Sequence, residues 1–175
     1  YANVDGFTFE EKELPSDELQ EIDRWIISLL NSLIKEVDEH YNTYEPTKAG
    51  RAISDFVNDN LSNWYVRLSR KRFWGGGMTK DKLAAYQTLY TCLNTIAKLI
   101  APIAPFYSDM LFCDLNAVTG KEKMKSVHLA DFPTYDESKI NKSLEESMKM
   151  AQDISSMVLA LRRKENLKVR QPLTK

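Results

Sequence analysis

Apolar residues recur every three or four positions along most of the chain, which is the spacing of one face of an α-helix. The first stripe covers residues 22–41, and the acids that precede it predict a helix start near Ser16 or Asp17. A second helix is predicted from Pro46, because proline lacks the N–H that a first helical turn leaves unpaired. Its apolar positions are Ala49, Ala52, Ile53, Phe56, Val57, Leu61, Trp64, Tyr65 and Leu68. The glycines at 75–77 end it, since glycine loses more backbone entropy in a helix than other residues.

Three further helices are expected in the second half of the chain. One begins at Lys80 or Asp81 and stops before Pro102, because proline interrupts a helix beyond its first turn. A shorter helix then ends near Asn116, and a long last helix covers about residues 136–166.

Two stretches lack a helical period. Residues 117–135 are expected to form a loop with a short extended piece, and residues 167–173 alternate in the manner of a strand. Long amphipathic segments joined by short connections predict an all-α fold, a helical bundle. We interpret residues 1–15 as a connecting strap, 16–166 as the bundle and 167–175 as the start of a linker to a further C-terminal region.

Composition is typical of a folded domain rather than a disordered or membrane-spanning chain. Of 175 residues, 43% are hydrophobic and 10% aromatic, and the apolar runs are too short to cross a bilayer. Two cysteines without a Cys-x-x-Cys pair favour a reducing, cytoplasmic setting. Because the first residue is tyrosine and no leader pattern is visible, we expect a fragment of a longer cytoplasmic protein.

Charge is distributed unevenly although the net charge is only −1. Residues 1–45 carry a net charge of −9, residues 46–100 carry +6 and residues 101–175 carry +2. This separation indicates that one surface could bind a polyanion while the whole chain stays near neutral.

The most basic segment lies at the end of the second predicted helix, where no acid occurs between Asp59 and Asp81. Helical spacing places a polar set beside the apolar stripe, namely Asn60, Asn63, Arg67, Arg70, Lys71 and Trp74. Guanidinium groups bind phosphates, amides bind sugar or base edges, and an indole can stack on a base. Arg72 is expected under the stripe, capping the helix end or burying its stem. The alternative for the whole set is a solvated helix end whose bases complement the dipole.

A second basic set closes the last predicted helix. It consists of Arg162, Arg163, Lys164, Lys168 and Arg170. Charge alone is equally compatible with RNA binding and with a solvated C-terminal turn.

The residue combinations that catalysis or metal binding requires are not found in the sequence. His40 and His128 lie in different segments, and no group of His, Cys or carboxylate residues has metal-ligand spacing. Residues 75–80 resemble a phosphate loop only superficially, because the glycines follow a helix and the Lys-Ser/Thr order is reversed. Cys92 and Cys113 are interpreted as small hydrophobic residues. We therefore expect no catalytic residue, metal or cofactor in this chain.

Several strings resemble one protein family, in the same order along the chain. They are YANVDGF at 1–7, DRWI at 23–26, SNWYVRLSRKRFW at 62–74, AAYQTLY at 84–90, LIAPIAPF at 99–106, SVHL at 126–129 and KVRQPL at 168–173. Together they resemble the anticodon-binding helical domain of isoleucyl-tRNA synthetases. The class I signatures His-Ile-Gly-His and Lys-Met-Ser-Lys-Ser do not occur here.

The resemblance implies that a parent enzyme forms isoleucyl-adenylate from isoleucine and ATP with Mg²⁺, while this chain contributes tRNA binding. The implied partners are tRNA(Ile) and the remainder of the synthetase, with no DNA and no membrane. The RNA-contacting side chains are then expected to be Asn63, Arg67, Arg70, Lys71, Trp74, Arg162, Arg163, Lys168 and Arg170. One alternative is a protein–protein packing module without direct RNA contact; a stand-alone enzyme is disfavoured by the missing catalytic residues.

Overall fold

The computed structural model describes residues 2, 4–9, 12 and 14–173, and within them it contains helices and turns but no strand. The α-helices are α1 (Glu21–Asn42), α2 (Pro46–Asp55), α3 (Arg70–Trp74), α4 (Lys80–Ile100), α5 (Pro105–Thr119) and α6 (Lys142–Lys164). A π-helix, Phe56–Val66, follows α2 directly, and short 3₁₀ turns cover Ser16–Glu18, Val127–Leu129 and Glu137–Lys139. The predicted all-α fold is confirmed.

The ends of the helices differ from the prediction where side chains cap them. α1 begins at Glu21 rather than near Ser16. Gln20 is extended and caps the helix, because the Asp23 carboxylate accepts its backbone N–H at 3.2 Å. α6 begins at Lys142, where the Asn141 side chain accepts the Leu144 N–H at 3.1 Å.

The two predicted non-helical stretches contain no strand within the described residues. The first is ordered by a 3₁₀ turn at Val127–Leu129. The prediction that residues 167–173 are extended was wrong. The N–H of Gln171 donates to the Lys168 carbonyl at 3.0 Å and closes a turn.

The chain divides into two units, Tyr1–Ile140 and Asn141–Lys175. In the first unit α1 packs against α2, the π-helix and α4, and α4 packs against α5. The predicted stripe of α1 forms much of this core, with Trp25, Ile26, Leu30, Leu33 and Val37 all buried. In the second unit none of the described residues is buried. The predicted domain boundaries at residues 15 and 166 stay a prediction.

Aromatic side chains anchor the strap to the helices of the first unit. Phe7 and Phe9 are buried beside Phe73 and Tyr86, with the Phe7 and Tyr86 ring centroids 5.1 Å apart. This cluster joins the strap to α3 and α4. Of the described helices, none combines the length and apolarity that crossing a bilayer needs.

Candidate nucleic-acid interface

The π-helix changes which side chains of the basic segment face the core. The buried positions are Phe56, Leu61, Tyr65, Ser69 and Phe73. Their spacing is five and then four residues, wider than the 3.6 residues per turn of an α-helix. The i→i+5 hydrogen bonds of the π-helix account for the wider spacing from Phe56 to Tyr65, and Ser69 and Phe73 continue the same line beyond it. The predicted stripe was therefore wrong at Leu68, which is 54% exposed, and Trp64 is only half-buried.

The same spacing orients the predicted RNA-contacting residues toward solvent. Asn63, Arg67 and Lys71 lie four residues apart and two positions away from the buried line, which is the opposite side of the helix. Arg70 and Trp74 each follow a buried residue and flank that side; Trp74 is 59% exposed. We call these five exposed residues the basic surface. Their role in RNA binding stays a prediction.

Within residues 14–173, the three cations of the basic surface are solvent-facing and unpaired with acids. Among the described residues, no carboxylate lies within ion-pair distance of Arg67, Arg70 or Lys71. Their charge is therefore not neutralised within the described part of the chain and is available to an external anion.

Arg72 lies among the same bases but points into the protein. Its guanidinium donates to both Asp23 carboxylate oxygens at 2.8 Å, and its Nε donates to Asp81 at 3.0 Å. Asp23 is 0% exposed and also accepts the Tyr65 hydroxyl at 2.7 Å. The prediction that Arg72 falls under the stripe is confirmed. We call its guanidinium with the Asp23 and Asp81 carboxylates the Arg72 fork, and this fork joins the starts of α1 and α4 to α3.

The buried partners shift each other's ionisation. Burial, followed by the charge and hydrogen bond of Asp23, raises the pKa of Tyr65. Burial opposes the charge of Arg72, but the hydrogen bond and charge of Asp23 outweigh it and raise the Arg72 pKa. Tyr65 therefore stays neutral and Arg72 stays charged across the physiological range.

Sequence reasoning did not identify Asp23 as the partner of Arg72, although a signal was present. Asp23 stands at the first position of the line that continues through Ile26, Leu30 and Leu33, all of which are buried. An acid on a buried line needs a cationic or hydrogen-bonding partner, and Arg72 is the base that falls on the apolar side of its own helix.

A second buried cation fixes the end of α3. The Lys82 ammonium group is paired with Asp5 of the strap and donates to the Gly75 carbonyl at 2.8 Å. Tyr86 donates its hydroxyl to the same Asp5 carboxylate at 2.6 Å. The hydrogen bonds from Lys82 and Tyr86 lower the pKa of Asp5, so its carboxylate stays ionised at neutral pH.

The second basic set lies in the other unit and is only partly available. The Arg162 guanidinium donates to the carbonyls of Lys168 and Gln171, at 2.8 and 3.0 Å, and so holds the turn after α6. Arg163, Lys168 and Arg170 are exposed. Their binding to RNA also stays a prediction.

The two histidines lie beside polar groups of their own segments or of a neighbouring helix, and the two cysteines differ in burial. His40 lies 3.5 Å from Glu36, and His128 lies 3.2 Å from the Pro105 carbonyl. Cys92 is fully buried, and burial raises the pKa of its thiol. Cys113 is exposed, and its thiol donates to the Lys125 carbonyl at 3.5 Å. In the described part of the chain, no three His, Cys, Asp or Glu side chains converge in a way that could hold a metal ion.

Comparison with known proteins identifies one family for this sequence. A family model described as the anticodon-binding domain of tRNA ligase matches residues 23–175. The isoleucine–tRNA ligase of Bacteroides fragilis is 71% identical over 99% of this chain and 15% of its own length. That of Porphyromonas gingivalis is 66% identical over the same shares, and that of Clostridium tetani is 43% identical over 99% of this chain and 17% of its own length.

The chain therefore spans only 15% to 17% of the length of these three relatives. The resemblance inferred from the motifs is confirmed. Because the family model covers all of the described helices from α2 onward and nearly all of α1, the chain belongs to the anticodon-binding domain family of tRNA ligases.

Proposed function

We propose that this chain binds the anticodon-stem side of tRNA(Ile) through the basic surface and positions the tRNA for isoleucylation. The observation that carries the proposal is the contrast within one cationic run. Arg72 is withdrawn into a buried ion pair, whereas Arg67, Arg70 and Lys71 face solvent without a described acidic partner.

Such a surface suits a phosphate backbone. Guanidinium forks bind phosphate oxygens in pairs, and neutralising phosphates releases counterions, which makes the binding strong at low salt. Asn63 and Trp74 add an amide and an aromatic ring for a sugar, a base edge or an unstacked base. Phosphate contacts of this kind set orientation, and base contacts add identity.

The chemistry of ligation belongs in this proposal to the rest of the protein. The named relatives are isoleucine–tRNA ligases, of which the chain covers about 15%. We infer that the whole protein acts in the cytoplasm in protein biosynthesis, with ATP and Mg²⁺ bound by its other parts. We infer that the exposed Arg163, Lys168 and Arg170 of the second unit also bind RNA, while Arg162 serves mainly to close the turn after α6.

One observation favours the alternative of a packing module. Phe106 is 91% exposed, and Tyr107 and Met110 on the same helix are also exposed. An apolar patch of this kind is typical of a surface that packs against another protein segment. The two functions can coexist on different faces, and they differ in whether the basic surface contacts RNA.

A salt titration of tRNA binding distinguishes them. The 175-residue chain and its Arg67→Ala/Arg70→Ala variant are each titrated with tRNA(Ile) and with a non-cognate tRNA at several salt concentrations. We expect the variant to bind about 10- to 100-fold more weakly, because two charge-assisted contacts are lost. The slope of log K against log salt should fall by about 0.9 for each lost phosphate contact.

A matched control removes the same charge elsewhere. Lys123→Ala/Lys125→Ala also deletes two exposed cations of the first unit and should change affinity far less. Equal losses in the two variants would reduce the effect to net charge and contradict the proposal. Unchanged binding in the Arg67→Ala/Arg70→Ala variant would also contradict the basic surface as the RNA contact, and absence of tRNA binding by the native chain even at low salt would favour the packing module.

A further inference from the structure

The loop that follows the basic surface is richer in glycine than its fold requires. Gly75, Gly76 and Gly77 connect α3 to α4 and are all exposed. Gly77 has a φ of +73°, a left-handed conformation that favours glycine. A Cβ on Gly76 would meet no atom within 4 Å, and one on Gly75 would meet only two carbonyl oxygens at 3.6 and 3.7 Å. Two of the three glycines are therefore not explained by the conformation or packing of the chain itself.

The ends of the loop are held in place, so a free hinge does not explain the glycines either. The Gly75 carbonyl accepts the Lys82 ammonium group, which is buried and paired with Asp5. At the other end, the Thr79 hydroxyl caps α4 by accepting the Lys82 N–H at 3.1 Å. One residue of α4 thus fixes both ends, and the peptide groups between them remain on the surface.

From these observations we propose that this loop is part of the RNA-binding surface, with Gly75 and Gly76 leaving room for a sugar–phosphate backbone to lie directly against the peptide chain. The inference rests on the proposed function. Trp74 immediately precedes the loop and is 59% exposed, so an unpaired nucleotide can stack there while its phosphate contacts the glycine N–H groups. Glycine serves here because a Cβ would hold the two backbones apart.

A graded series at Gly76 tests the inference. The 175-residue chain carrying Gly76→Ala or Gly76→Val is titrated with tRNA(Ile) at fixed low salt, and thermal unfolding is measured in parallel. We expect a small loss of affinity for alanine and about a tenfold loss for valine, the equivalent of one backbone–phosphate hydrogen bond. The melting temperature should not fall, because the added atoms point into open space.

Two controls complete the design. Ala117→Val adds, at an exposed position of α5, the two methyl groups that distinguish valine from alanine, and should leave affinity unchanged. Trp74→Ala should weaken binding about 5- to 100-fold if a base stacks on it, and Trp74→Phe should restore most of the loss.

The outcomes separate this inference from the proposed function. Native affinity in Gly76→Val, together with a loss in Arg67→Ala/Arg70→Ala, overturns the loop contact and leaves the basic surface intact. Equal losses for alanine and valine would indicate a need for backbone freedom rather than for close approach, and would also overturn it. Unchanged binding in both Gly76→Val and the arginine variant removes the proposed function as well.

Discussion

At the scale of single residues, Tyr44 adopts a conformation that its side chain disfavours. It follows the end of α1 with a φ of +59°, and its side chain is 92% exposed. The Glu45 N–H donates to the His40 carbonyl at 2.8 Å and the Tyr44 N–H to the Tyr41 carbonyl at 3.1 Å, the pair of bonds of a Schellman motif. The left-handed position of this motif is usually glycine or asparagine.

Replacement of Tyr44 by glycine should therefore stabilise the chain. Relief of the left-handed strain is worth about 1–2 kcal/mol, and the greater backbone entropy of glycine in the unfolded state offsets part of it. We expect a gain of about 0.5–1 kcal/mol in the free energy of unfolding, measured by chemical denaturation. Tyr44→Asn should also be stabilising. Asparagine already occupies the corresponding left-handed position after α6, at Asn166. A loss of stability in both variants would contradict this account.

At the scale of helices, the Arg72 fork determines how α3 is held. α3 has only five residues, too few to be stable by itself, and its inward-facing side chains are Arg72 and Phe73. Arg72 reaches the starts of both α1 and α4 through Asp23 and Asp81. The position of Arg70, Lys71 and Trp74 thus depends on an ion pair at the other side of their helix.

Loss of this fork should be costly for stability. Arg72→Ala leaves the Asp23 carboxylate buried without its cation, and we expect it to lower the free energy of unfolding by about 3–5 kcal/mol. Arg70→Ala, two positions away and exposed, is the control and should cost no more than about 0.5 kcal/mol. Both are measured by urea denaturation.

A double-mutant cycle tests whether the cost belongs to the pair. Arg72→Met combined with Asp23→Asn should be less destabilising than the sum of the single changes by about 1 kcal/mol or more, because neither partner is then left charged and alone. Additive effects would show that the two residues act independently and that the fork does not hold α3.

At the scale of the whole molecule, carboxylates tie the non-helical segments to the helices. Asp5 joins the strap to α4, and Asp109 of α5 accepts the Ser126 hydroxyl and the Val127 N–H. These two hydrogen bonds lower the pKa of Asp109. Burial would raise the pKa of Glu122, but the hydrogen bonds from Lys98 and Asn94 of α4 outweigh it and lower the pKa.

These lowered pKa values predict loss of stability in acid. Between the folded and unfolded pKa values the unfolded chain binds more protons, so stability rises with pH there. The contribution is complete above the unfolded values of about 4 and is lost as pH falls through the lower folded values. Urea denaturation from pH 7 to pH 3 should show a decline that begins at about pH 4.5.

Single substitutions assign the decline to these groups. Asp109→Asn should reduce the acid-dependent loss, because the amide does not titrate. Identical profiles for the native chain and Asp109→Asn would contradict the role of Asp109.

The amphipathic helices could be predicted from local order alone. The stripe from Trp25 to Val37 and the boundaries of α4 follow from the 3.6-residue period, from prolines and from glycines, all of which act within a few residues. The exposed positions of Arg67, Arg70 and Lys71 could be predicted too. Lys and Arg side chains are almost never buried without an acidic partner, and no acid lies near them in the sequence. The family resemblance also follows from residue strings along the chain.

Tertiary contacts decided the rest. The π-helix placed Ser69 rather than Leu68 on the buried side; its wider turn packs against α1, and its Tyr65 hydroxyl reaches the Ala85 carbonyl of α4 at 3.3 Å. The pairing of Asp23 with Arg72 joins residues 49 positions apart, and that of Asp5 with Lys82 depends on how the strap folds back onto α4. Periodicity is a local property and carries no information on such distances, whereas burial of a charge is favourable only where a partner from another segment is already in place. The sequence alone thus determined the amphipathic helices, their charge, the exposure of the clustered bases and the family; the fold decided which carboxylates hold Arg72 in the core.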